Sequence, residues 1–209
     1  MASELCFTSG RELAESIRAR KISAREIMSA FLRQIERVNP KINALVAKLD
    51  DDKCLALADE ADRRLAHGDD VGCLHGLPFA FKDLDPAVGF PMTRGSPIFK
   101  DFMPSEDSVL VERLRRAGVL AIGKTNVSEF GMGSHSYNEV YGTTLNPYDL
   151  TKSAGGSSGG AGAALAAGLL PLASGSDLGG SLRNPANFNN IVALRPTVGL
   201  VPAAPVALP

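Results

Sequence analysis

Histidine is scarce in this chain of 209 residues: there are three, His67, His75 and His135. They are scattered without metal-ligand spacing, which favours surface or hydrogen-bond-satisfied histidines over a metal site. Cysteine is equally scarce. Cys6, Cys54 and Cys73 show no Cys-x-x-Cys spacing, so packed or exposed thiols are expected rather than a zinc or redox motif. A small, odd number of cysteines suits a reducing compartment, and the expected location is cytoplasmic. No one sign of charge dominates either. The formal net charge is −1 with both signs dispersed, which supplies no electrostatic footprint for nucleic acid or a membrane surface. Long hydrophobic runs are missing as well. The first 21 residues mix charge and apolar side chains without a signal core. The longest weakly polar stretch, Ala161 to Ala173, is too short and too interrupted to span a bilayer.

What the chain does have is a glycine-rich stretch from Ala154 to Ala186, AGGSSGGAGAALAAGLLPLASGSDLGGSLRNPA. Ser157 and Ser181 each stand behind a pair of glycines, and no histidine lies between them. Paired glycines beside a serine suit a site where backbone N–H groups must approach a substrate closely. With no histidine base at hand, the pattern points to a lysine base, a recognised way of activating a serine. Lys82 is the candidate. It closes the apolar run Leu77 to Phe81, which reads as a buried strand. Desolvation there would lower its pKa and favour the neutral, proton-accepting amine.

Each piece also has a plainer reading. Residues 155–162 alone resemble a flexible Gly/Ser linker, but they run straight into the helix-forming AGAALAAGLL. A phosphate loop fails, because Gly160 is followed by Ala161 where the Walker pattern needs Lys. The dinucleotide pattern fails at Leu165, which occupies the third glycine position. No cofactor is therefore expected, and no metal. Lys82 by itself would more often be a strand-end lysine snorkelling to solvent.

The block Gly155-Gly156-Ser157-Ser158-Gly159-Gly160, its small-residue continuation, and Gly175-Ser176-Asp177-Leu178-Gly179-Gly180-Ser181-Leu182-Arg183-Asn184-Pro185-Ala186 resemble the signature of the amidase signature family. Flanking pieces agree: Gly76-Leu77-Pro78, Ile122-Gly123-Lys124-Thr125-Asn126, Asn146-Pro147 and Arg195-Pro196-Thr197-Val198-Gly199. The resemblance covers the chain from about Leu13 onward. It implies Ser181 as nucleophile, Ser157 as a bridging serine in a cis peptide bond, and Lys82 as terminal base. It further implies an oxyanion hole from the N–H groups of Leu178, Gly179, Gly180 and Ser181. Ser158, Ser176, Asp177 and Arg183 would support the loop. The implied reaction is hydrolysis of a small-molecule carboxylic amide through an acyl-enzyme. An amidase-like subunit of a tRNA-dependent amidotransferase shares the motifs. Its usual Asp-Thr-Gly-Gly-Ser-Ile-Arg-Gln differs from Asp177-Leu178-Gly179-Gly180-Ser181-Leu182-Arg183-Asn184, which is closer to stand-alone amidases. A third reading is an inactive, truncated chain.

The patterning predicts an α/β fold, a mixed, mostly parallel sheet covered by helices on both faces. Ser9 to Lys21 reads as a helix. Ser23-Ala24-Arg25-Glu26 reads as a capping box opening a second helix that ends before Pro40. Ile42 to Leu49 reads as a strand and Asp51 to Ala66 as a helix stopped by Gly68. Asp85 to Pro104 reads as loop, with Ser105 capping a helix from Asp107 to Ala117. Gly118 to Ile122 reads as a strand, Ser158 to Ala167 as a helix, and Leu169 to Ala173 and Ile191 to Leu194 as strands. The whole forms one expected domain, 1–209, incomplete at its Pro-rich C-terminus. An open sheet of that kind predicts self-association, with a homodimer as one outcome.

Overall fold

Two serines open the first two helices by the same device. In the computed structural model, which describes residues 4–202, helix α1 spans Gly10–Arg18 and α2 spans Ala24–Ile42. The Ser9 hydroxyl accepts the Glu12 N–H at 3.2 Å, and the Glu12 carboxylate accepts the Ser9 N–H at 3.3 Å. Ser23 and Glu26 repeat the arrangement. Each pair satisfies orphan N–H groups of a first turn, the expected capping box.

Helix α2 does not stop before Pro40 but runs through it to Ile42. Proline removes one helical N–H, and that loss is small in a last turn secured by other bonds. Here the Asn39 amide oxygen accepts the N–H groups of Ala44 and Leu45 at 3.0 and 2.8 Å. Ile42 stays buried in the core, and Asn43 closes the end in the left-handed conformation. The strand expected from Ile42 is consequently only β1, Leu45–Val46.

Helix α3, Asp51–His67, closes at Gly68 as expected. Strand β2, Pro78–Lys82, is buried at every position. Helix α4, Val109–Arg116, starts later than predicted and is capped by Ser108, not Ser105. Asp107 is held outside it, accepting the Val88 N–H at 2.7 Å and pairing with Arg115 at 2.9 Å. Strand β3, Leu120–Thr125, extends past Ile122 because Lys124 and Thr125, polar in sequence, are buried. Two small antiparallel pairs follow: β4, Tyr137–Asn138, with β5, Gly142–Thr143, and β6, Leu145–Asn146, with β7, Asp149–Ser153. Helix α5, Gly159–Ala166, strand β8, Leu172–Ala173, and helix α6, Arg183–Asn189, complete the order.

The central sheet is ordered β1-β3-β2-β8, antiparallel between β1 and β3 and parallel elsewhere. Leu77 and Ala80 join the core built with Leu13, Ile27, Phe31 and Ala163. Phe79 and Phe81 join a second core with Val111 of α4. Helices therefore cover both faces, as expected for the α/β class. The alternation along a strand places Lys82 on the Ala80 face, where α5 lies.

Residues 191–194 form no strand. Val192 and Leu194 are 95% and 81% exposed, so their apolar side chains gain none of the burial that would stabilise a strand there. The Pro-rich end from residue 203 onward lies outside the described residues.

One glycine welds α5 to the sheet. A Cβ added to Gly160 would sit 2.3 Å from the Asn126 backbone nitrogen. Neither backbone can yield cheaply, so Gly160→Ala should lower stability by about 3 kcal/mol, the upper end of ordinary overpacking. A urea melt of the variant checks this.

Candidate active site

Strand β2 delivers Lys82 into a fully buried position. Its Nζ lies 2.8 Å from Ser157 Oγ, 2.9 Å from Ser176 Oγ and 3.4 Å from the Ser176 carbonyl oxygen. Burial pulls Lys82 down from 10.5 to about 8, and the negative charges of Asp85 and Asp177 oppose that fall. An amine so placed is neutral in a useful fraction near pH 8 and can take a proton from the hydroxyl it touches.

Ser157 stands at the entry to α5, and the Gly156–Ser157 peptide bond is cis. Ser136 holds it from the other side. The Ser136 hydroxyl donates to the Ser157 carbonyl at 3.1 Å and accepts the Gly159 N–H at 2.9 Å. The Ser136 N–H donates to the Gly155 carbonyl at 2.9 Å. The loop lies so close that a Cβ on Gly156 would fall 2.8 Å from the His135 backbone.

Ser181 reaches this cluster through its main chain. Its carbonyl accepts the Ser158 N–H at 3.2 Å, while its Oγ has no hydrogen-bond partner among the described residues. Lys82 and Ser157 are thus brought together, and the link from Ser157 to Ser181 is not closed. The loop that carries Ser181 is open to solvent at its tip, with Leu178 96% exposed.

Below the tip the loop is anchored on Asp177, whose side chain is fully buried. Its carboxylate accepts the N–H groups of Gly180, Leu182 and Arg183 at 2.7, 3.0 and 3.2 Å. Arg183 grips it with Nε at 3.0 Å and a terminal nitrogen at 2.9 Å. The Arg183 hydrogen bond, ahead of the backbone donors, holds the Asp177 carboxyl well below the usual carboxylate range.

The family model described as Amidase matches residues 26–208. The chain belongs to the amidase signature family. Among relatives, the glutamyl-tRNA(Gln) amidotransferase A-subunit of Bdellovibrio bacteriovorus is 41% identical over 198 residues, 95% of this chain and 40% of that protein. Its namesake from Carboxydothermus hydrogenoformans is 44% identical over 198 residues, 95% of this chain and 41% of that one. A solved bacterial aryl acylamidase of the amidase signature enzymes superposes with a TM-score of 0.82 at 35% identity, covering 88% of this chain and 38% of its own. This chain spans about 40% of the length of the curated relatives it matches.

Of the expected oxyanion donors Leu178, Gly179 and Gly180, Gly180 gives its N–H to the Asp177 carboxylate in this arrangement of the loop. Leu178, Gly179 and Ser181 keep N–H groups without an acceptor among the described residues. Ser158 and Ser176 are tied to each other: the Ser158 hydroxyl donates to the Ser176 carbonyl and accepts its N–H, both at 3.3 Å. Sequence reasoning missed Ser136, which carries no local signal, and Ser174, whose Oγ accepts the Lys82 N–H at 2.8 Å. It also missed Arg195 as a partner of Asp177, 3.5 Å from the carboxylate.

The histidines play other parts. His75 Nε2 meets the Ala61 carbonyl at 2.9 Å and His135 Nδ1 meets Ser153 Oγ at 3.0 Å. Cys6 and Cys54 are buried and Cys73 is exposed. Among the described residues no helix is long and apolar enough to cross a membrane.

Proposed function

We propose that this chain carries the catalytic part of an amide hydrolase, with Lys82 as base, Ser157 as bridge and Ser181 as nucleophile. The observation that carries the reading is the 2.8 Å contact between a fully buried lysine amine and the Ser157 hydroxyl. Neutral Lys82 takes the Ser157 proton, Ser157 takes the Ser181 proton, and Ser181 Oγ bonds to the amide carbon. The oxyanion that develops meets the free N–H groups of Leu178, Gly179 and Ser181. Protons then run back to the leaving nitrogen, the C–N bond breaks, and water cleaves the acyl-serine ester by the same relay. For this the Ser181 loop turns inward until its hydroxyl meets Ser157.

The substrate class is the side-chain amide of glutamine, and the chain is the amidase-like part of an amidotransferase of the kind its relatives are named for. Identities of 41–44% to eight such subunits support this, against 32–40% to the solved amidases and hydrolases it resembles. The tRNA in the relatives' name revises the expectation of no nucleic-acid partner. With a net charge of −1, this portion leaves tRNA contact to other parts of the assembly. Given its share of the relatives' length, residues 1–209 are the N-terminal part of one larger amidase unit. A stand-alone amidase is the second reading, favoured by Leu178, Leu182 and Asn184 in the nucleophile loop.

Ammonia release, measured with and without the partner subunits, tests both. Release from glutamine that depends on the partners supports the amidotransferase reading. Release from simple aliphatic or aryl amides without partners, and none from glutamine, favours the stand-alone enzyme. The absence of both ammonia release and covalent labelling of Ser181 by a fluorophosphonate overturns the proposal.

A further inference from the structure

A second lysine is buried beside the first and takes no part in the steps above. Lys124 stands on β3 next to the end of β2, where Phe81 pairs with Lys124 and Lys82 with Thr125. Both lysines are fully buried. A buried ammonium is costly unless it is paired, and the turn that follows Lys82 supplies two carboxylates. Lys124 Nζ donates to the Asp85 carbonyl at 2.5 Å, and the charges of Asp83 and Asp85 both act on it. Asp83 is fully buried, and its carboxylate accepts the N–H of Thr93 at 3.1 Å and the Thr93 hydroxyl. Burial pushes Asp83 up from its ordinary value, and the Lys124 charge works against that rise.

Asp85 connects this pair to the base. Its carboxylate accepts the Ser174 hydroxyl at 2.6 Å, and Ser174 Oγ accepts the Lys82 N–H at 2.8 Å. The Asp85 N–H closes the turn on the Lys82 carbonyl at 2.9 Å. Asp85 is also the larger of the two negative influences on the Lys82 amine, ahead of Asp177.

We propose that Lys124 is a positioning residue for the base: it pins the turn behind Lys82 and offsets Asp85, so that this carboxylate does not hold a proton on Lys82. This rests on the reading of Lys82 as the base. The remaining charged groups around the pair are otherwise engaged. Asp177 is matched by Arg183 and Arg195. Arg115 of α4 is paired with Asp107 and opposes the charge on Lys124. Tyr141, pushed up to about 12 chiefly by burial, stays neutral beside Asp83. Lys124 is the cation hydrogen-bonded to the turn itself.

The test is the NMR titration of the Lys82 side chain by its 13Cε shift, assigned with Lys82→Ala. Lys124→Met should raise the Lys82 midpoint by about one pH unit, the scale of one nearby unbalanced charge. Lys124→Arg should leave it near the wild-type value, and Asp85→Asn should lower it. An unchanged midpoint in Lys124→Met, or an equal rise in Lys124→Arg, reduces Lys124 to a packing role and overturns the proposal. Should Lys124→Met fail to fold, Asp85→Asn decides, and an unmoved midpoint there overturns it. The titration reads Lys82 whether or not the chain turns over. Failure of the functional reading shows separately, as undiminished fluorophosphonate labelling in Lys82→Ala.

Discussion

Ser181→Ala is expected to abolish both the proposed amide hydrolysis and fluorophosphonate labelling while leaving the fold intact. The expected loss is roughly six orders of magnitude in turnover, the scale seen when a serine hydrolase loses its nucleophile. Stability should change little, within about 0.5 kcal/mol, because Ser181 Oγ has no hydrogen-bond partner among the described residues to lose. Activity, labelling and a denaturant melt on one preparation check all three. Ser157→Ala is the informative contrast. Its hydroxyl sits 2.8 Å from Lys82, so removing it breaks the relay and leaves the amine facing an apolar methyl. Retained labelling in Ser181→Ala with lost labelling in Ser157→Ala would reverse the two roles.

Lys82→Ala has the next largest effect, a fall of about three to four orders of magnitude, the ordinary reach of general base catalysis. Lys82→Arg gives no rescue, because a guanidinium stays protonated and cannot serve as the base. The pH profile follows from the sign of the shift. The working form is the neutral amine, so the rate rises as pH climbs through about 8, well below the free-lysine value near 10.4. A rise confined to the free-lysine range would mean that Lys82 is not the base.

Stability should respond to the same shift. Folded Lys82 releases its proton near 8 and unfolded Lys82 near 10.5. Between those limits the unfolded chain binds more protons, so this lysine's contribution to stability improves as pH rises. Below the folded value its burial is a constant cost. Comparing urea midpoints of the wild type and Lys82→Met across this window isolates that contribution, since the difference between them should shrink towards high pH.

Much of this protein was legible in its sequence, for reasons that are local. Ser9 with Glu12 and Ser23 with Glu26 specify helix starts through bonds spanning three residues. The run from Leu77 to Phe81 is apolar enough to force a buried strand, and whatever follows it is carried to the strand's end. Lys82 was therefore readable as a desolvated lysine. Glycine pairs before two serines marked the loops that must come near a substrate. Dispersed charge and scarce histidine and cysteine narrowed the chemistry to a lysine-activated serine.

Tertiary structure decided whatever depended on how the chain packs, with the longest-range partners the least legible. Pro40 reads as a helix stop, yet Asn39 and the buried Ile42 carry α2 past it. Ser105 and Ser108 are equally good caps by type, and the pairing of Asp107 with Arg115 left the later one to open α4. Residues 191–194 have the composition of a strand but stay exposed and form none. The support given by Ser136, Ser174 and Lys124 spans 21 to 92 residues. Hydrogen bonds and charge balance at such separations depend on which strands end side by side. No periodicity, cap or motif encodes that, and it is there that an ordinary serine or lysine becomes part of the site.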